Sequence, residues 1–169
     1  MTLKRSIFIV VLIITSFQVK AQSSMEALLA KYNTNSVPYI SVEELRMLKF
    51  DKDSILIFDA REKEEYEVSH IKNAQFVGYD DFSAEKISQL FSNKSIPIVV
   101  YCSVGIRSEN ISEKLENAGY QNVKNLYGGI FEWKNSGFAV YDTQEKETEK
   151  VHTFSKHWSK WLKKGEKVY

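Results

Sequence analysis

The chemistry in this chain begins with one thiol. Cys102 is the only cysteine in 169 residues, so no disulfide can form within the chain, and the group is either a small buried hydrophobe or a working sulfur. Its neighbours favour work. Cys102, Ser103, Val104, Gly105, Ile106, Arg107 and Ser108 join the apolar run Ile98 to Tyr101 to a segment of helical character. A loop this tight, with Gly105 relieving the backbone, can turn successive N–H groups toward one point and form an anion-binding nest at a helix amino end. A sulfur on the floor of that nest should be largely thiolate near neutral pH, because the amides and the helix dipole favour negative charge. Arg107 adds a fixed positive charge or braces the loop, and Ser108 is placed to cap the helix.

The elements that must hold this loop follow from patterning. Ser41 to Glu44 reads as a capping box opening a helix with Leu45 and Leu48 on one face. Ile55 to Phe58 is a short continuous apolar run, the mark of a strand buried on both faces, and it ends at Asp59. Glu62 to Val68 is helical in character, Ala74 to Val77 fits a strand, and Ser83 to Phe91 spaces Ile87, Leu90 and Phe91 as a helix face. Ile98 to Tyr101 is the strongest strand. Ser108 to Ala118 places Ile111 and Leu115 inward and closes at Gly119; Val123 to Leu126 is a last strand, and Gly128 and Gly129 turn into a helix over Ile130 to Lys134. Strands alternating with helices through short connections predict an α/β fold: a parallel sheet of about five short strands with helices on both faces. Working residues in such sheets lie beyond the carboxyl ends of strands, where Asp59 and Cys102 both fall.

At this point a family likeness emerges. The loop resembles the C-x-x-G-x-R-S active loop of the rhodanese family. Asp59 to Arg61 resembles its D-x-R, Glu65 to Ala74 its E-F/Y-x-x-G-H-I-x-x-A stretch, and Leu126 to Gly129 with Trp133 its L-x-G-G-x-x-x-W close. The likeness runs from about Tyr39 to Gly137, and four motifs in the family's order are far more specific than one. It implies that Cys102 accepts a sulfur as a persulfide held by the amides from Ser103 to Ser108, including those of Val104, Gly105 and Ile106. It further implies transfer to a thiol or cyanide, with no cofactor. Asp59 and Arg61 read as an ion pair or loop brace rather than reactants, and His70 as a hydrogen-bonding turn residue.

Two departures matter. Ser69 and Lys72 with Asn73 replace the family's frequent Gly and Pro-Gly, which alters a turn. The loop has no basic side chain besides Arg107, so a thiol-bound persulfide of the glutathione type is at least as suitable a donor as thiosulfate. Two rivals remain open. Cysteine phosphatases use a similar nest but place five residues between cysteine and arginine, where this loop has four. A sulfur-delivery or anion-binding module, serving a partner protein without turnover, needs only the nest.

Charge and the two ends set the remaining bounds. Overall net charge is +1; residues 1–20 and residues 143–169 each contribute +3, leaving −5 on the body between them. An acidic body argues against a nucleic-acid surface. The three histidines have no Cys or carboxylate at ligand spacing, so no metal site is expected. Lys4, Arg5, the apolar run from Ile7 and the small residues before Gln22 predict a signal peptide over 1–21, hence a periplasmic or secreted protein without a stable membrane span. The remaining divisions are a lead-in helix over 22–36, a rhodanese-like domain over 37–142, and a tail over 143–169. In that tail Thr143 to Lys150 reads as a polar linker. Phe154, Trp158, Trp161 and Leu162 recur at helical spacing among lysines, predicting a basic amphipathic helix packed on the body.

Overall fold

The computed structural model describes residues 24–48 and 55–169; the expected signal peptide lies outside them. Among the described residues, those up to Tyr32 belong to one compact unit and those from Asn33 onward to another. Within the described part of the first unit there is one helix, α1 (Ser24–Tyr32). The second contains β1 (Tyr39–Ile40), α2 (Val42–Leu48), β2 (Leu56–Asp59), α3 (Lys63–Val68), β3 (Gln75–Phe76), α4 (Ala84–Leu90), β4 (Ile98–Tyr101), α5 (Arg107–Asn117), β5 (Val123–Leu126) and α6 (Gly129–Asn135). Five strands form one parallel sheet in the order β1-β5-β4-β2-β3, with β4 at its centre. No described helix is long and apolar enough to cross a membrane.

Every residue of β4 is buried. Since alternate side chains of a strand point to opposite faces, both faces at the sheet centre are covered. One face carries Ile98 and Val100 in a cluster with Phe58, Ile87 from α4, and Ile111 and Leu115 from α5. The capping box at α2 forms in both directions: Glu44 N–H donates to Ser41 Oγ at 3.1 Å, and Ser41 N–H to Glu44 Oε2 at 2.9 Å. Two side chains expected inward are exposed, Leu48 on α2 and Leu90 on α4; Val42, Leu45 and Ile87 do the burying. Strand β3 is an edge strand with both residues exposed.

The tail departs most from expectation. Glu147–Thr148 (β7) pairs antiparallel with Val140–Tyr141 (β6), so part of the expected linker is a hairpin. Asp142 closes it, its Oδ1 accepting from the N–H groups of Gln144 and Lys146 at 2.9 and 3.0 Å. The expected helix is absent. Lys150–His152 (β8) pairs in parallel with Glu166–Val168 (β9), and between them only Ser159–Trp161 forms a 3₁₀ turn. The physical reason lies in the backbone: Thr153 N–H donates to Val168 O at 2.8 Å, and Phe154 takes a left-handed φ of 60°, which no helix can pass through. Leu162 is buried, whereas Phe154 is exposed.

Candidate active site

Strand β4 delivers Cys102 to the carboxyl edge of the sheet, and residues 102–106 turn directly into α5. What shapes that turn is the start of α6. Cys102 O accepts from Ile130 N–H at 2.9 Å and Ser103 O from Phe131 N–H at 3.2 Å. With these carbonyls turned toward α6, the N–H groups of Gly105 and Ser108 are directed at the sulfur. This close approach explains Gly129. A Cβ on Gly129 would stand 2.2 Å from Cys102 O, a backbone atom that cannot step aside.

Gly105 N–H donates to Cys102 Sγ at 3.1 Å. Gly105 itself sits at φ 105°, and its carbonyl is pinned by two amides, Asn125 Nδ2 at 2.8 Å and Asn33 Nδ2 at 2.9 Å. Ser108 Oγ lies 2.7 Å from Asn125 Oδ1 and 3.5 Å from Sγ. Its single proton serves one acceptor at a time, and a thiolate draws it toward sulfur. Burial pushes the Cys102 thiol up. The Arg107 charge, the Ser108 hydroxyl and the backbone N–H groups of Ser108 and Gly105 outweigh that effect, so Cys102 titrates below the ordinary thiol range.

Arg107 is less free than the sequence suggests. Its Nη1 and Nη2 grip the two oxygens of Glu65 at 2.7 and 2.8 Å, and Nη2 also reaches Ser103 Oγ at 3.1 Å. Glu65 is 1% exposed and accepts from two further donors, Ser103 Oγ at 2.9 Å and Glu62 N–H at 3.0 Å. Burial raises the Glu65 pKa, but Arg107 and the backbone donor more than reverse this, and the carboxyl is held below its usual range. Asp59 and Arg61 lie deeper. Arg61 Nε and Nη2 contact Asp59 at 2.9 and 2.7 Å with both side chains fully buried, and Nη2 donates to Ser69 O at 2.6 Å. Tyr101 Oη donates to Asp59 Oδ2 at 2.6 Å.

The structure therefore brings Ser103, Val104, Gly105, Ile106, Arg107 and Ser108 around Cys102, while Asp59 and Arg61 brace the sheet edge without touching the sulfur. Sequence reasoning did not assign roles to Glu65 or Asn125. Glu65 was visible only as a motif position, and Asn125 as a polar residue inside a strand that is otherwise mostly apolar. A cavity of about 180 Å³ opens over the cysteine, lined by Cys102, Ser103, Val104, Ile106, Arg107 and, from the tail, Phe154 and Trp158.

A parallel five-stranded α/β sheet with a cysteine-floored amide loop at the end of its central strand defines the class. Residues 41–136 match the rhodanese-like domain family, and the chain belongs to it. Among relatives, a tRNA uridine(34) hydroxylase of Cronobacter sakazakii is 35% identical over 98 residues, 56% of this chain and 28% of that protein. The chain thus spans little more than a quarter of that relative's length. Of solved structures, a thiosulfate sulfurtransferase from Pseudomonas aeruginosa aligns with a TM-score of 0.59 and 25% identity, covering 72% of this chain and 23% of that one. A rhodanese-like domain from Anabaena shares the fold with a TM-score of 0.56 at 24% identity, covering 64% of this chain and 82% of its own.

Proposed function

We propose that this protein transfers sulfane sulfur through Cys102. The thiolate attacks the outer sulfur of a donor, a Cys102 S–S bond forms, and the donor's S–S bond breaks with its electron pair on the leaving group. The persulfide rests in the loop until a thiol or cyanide attacks its terminal sulfur and Cys102 leaves as thiolate. One observation carries this reading: Cys102 Sγ accepts Gly105 N–H at 3.1 Å on the floor of a cavity. A terminal sulfur bearing negative charge suits converging amides of that size. The four-residue span from Cys102 to Arg107 supports sulfur over phosphoryl transfer, because three phosphoryl oxygens need more donors at once, and Arg107 is already committed to Glu65. We also propose export, from the leader pattern in residues 1–21.

The test is a steady-state assay with cyanide as acceptor. Sulfur transfer should be measurable from thiosulfate or a small persulfide, vanish in Cys102→Ser, and be accompanied by no turnover of aryl phosphates. Phosphatase activity dependent on Cys102, without sulfur transfer, would contradict the proposal.

A further inference from the structure

The cavity over Cys102 is walled in part by residues beyond the family domain. The family match ends at residue 136, whereas Phe154 and Trp158 come from the tail. Its apolar lining is Val104, Ile106, Phe154 and Trp158, and the only charged lining group is Arg107. That charge is matched: the guanidinium fork is bound to Glu65 at 2.7 and 2.8 Å, and the Phe154 ring lies 5.1 Å from its carbon. An inorganic dianion entering here would pass apolar walls and meet a guanidinium already shared with Glu65, with only the loop amides on the floor to replace its hydration.

The position of Phe154 strengthens the point. A bulky residue at φ 60° is strained, and at 54% exposure this ring recovers little of that by burial. Strain of this kind persists at sites where a side chain must be aimed. Here the ring is aimed over Arg107 and the cavity. The volume sets the ligand's size, since an apolar cavity of about 150 Å³ accommodates a benzene ring, and this one measures about 180 Å³.

We infer that the cavity receives the organic group of a small, apolar thiol persulfide, an aryl or short alkyl R–S–SH, and that Phe154 and Trp158 select it. The inference rests on the sulfur-transfer reading and names its donor class. Cys102 thiolate bonds to the terminal sulfur, the donor's S–S bond breaks with its electron pair on the inner sulfur, and RS⁻ departs with its organic group in the apolar pocket and takes a proton from solvent. No net oxidation occurs.

Two measurements test it. In the first, kcat/KM with cyanide as acceptor is compared for benzyl persulfide and thiosulfate in wild type, Phe154→Ala, Trp158→Ala and the conservative Trp158→Phe, with circular dichroism confirming the fold of each. Benzyl persulfide should be preferred, and the preference should fall about tenfold or more in either alanine variant, as for loss of a hydrophobic pocket contact, with Trp158→Phe retaining most of it. Equal use of the two donors by wild type, or an unchanged ratio in both alanine variants, would overturn the inference. In the second, benzyl alcohol should slow carbamidomethylation of Cys102 by iodoacetamide in wild type and not in Phe154→Ala. Absence of protection would overturn the apolar pocket. Protection without sulfur transfer from any donor would instead overturn the sulfur-transfer reading and the donor class built on it.

Discussion

Two arginine–carboxylate pairs stand near the end of the sheet, and they do different work. Arg61 and Asp59 are both fully buried, and the pair ties β2 to its neighbours: Tyr101 at the end of β4 donates to Asp59, Ile71 N–H donates to Tyr101 Oη at 3.1 Å, and Arg61 holds Ser69 O. Arg107 is 18% exposed at the cavity edge, and its partner Glu65 reaches it from α3. The first pair is sealed from any ligand. In the second, Arg107 lies beside the sulfur and lowers its pKa. Identical functional groups thus serve as a brace in one place and as the electrostatic setting of a nucleophile in the other, and depth decides which.

The comparison breaks most readily at Arg61. Arg61→Ala leaves Asp59 buried without its counter-charge, and removing one partner of a buried pair costs about 3–5 kcal/mol. Arg107→Ala should cost less in urea unfolding, because its site opens to water, yet should impair sulfur transfer more per unit of stability lost. Equal stability losses in the two variants would erase the distinction.

Gly129→Ala comes next. Its Cβ would meet Cys102 O at 2.2 Å in a residue already at φ 56°, so the loop must shift. Overpacking of this kind costs about 1–3 kcal/mol, and sulfur loading should fall further than the melting temperature suggests. A variant with wild-type transfer would show that α6 does not shape the loop.

The smallest effect sharpens the comparison through pH. Cys102 titrates lower in the folded chain than its ordinary 9.0. The unfolded chain therefore binds the extra proton between the two values, and stability rises with pH across that window. The contribution is complete above the unfolded thiol's pKa and lost as pH falls through the folded one. Alkylation by iodoacetamide should have its midpoint below 9.0 in wild type and higher in Arg107→Gln, where the main favourable charge is gone. An unmoved midpoint would remove Arg107 from the setting of the thiol.

Much of this was legible beforehand, for local reasons. The run Ile98 to Tyr101 is apolar because both faces of β4 are covered, and Ser41 with Glu44 marks a helix start because a capping box is a short-range hydrogen-bond exchange. The Cys102 loop was readable because its nest is built from consecutive backbone groups. What escaped was long-range. Glu65 and Arg107 are 42 residues apart, and no spacing rule joins them. Asn125 from β5 and Asn33 from the segment ahead of β1 converge on Gly105 O. The tail misled because Phe154, Trp158, Trp161 and Leu162 at spacings of four, three and one mimic a helix stripe, while the pairing of β8 with β9 and the left-handed Phe154 dictate another path. Tertiary pairing overrode the pattern there.

The most direct test of the central claim is the intact mass of the protein isolated under non-reducing conditions and then exposed to a persulfide donor. One added sulfur atom on Cys102, removed by cyanide and absent from Cys102→Ser, is the result expected of a sulfur carrier. A folded protein whose Cys102 alkylates readily as a thiolate yet never gains that sulfur from any donor would contradict it.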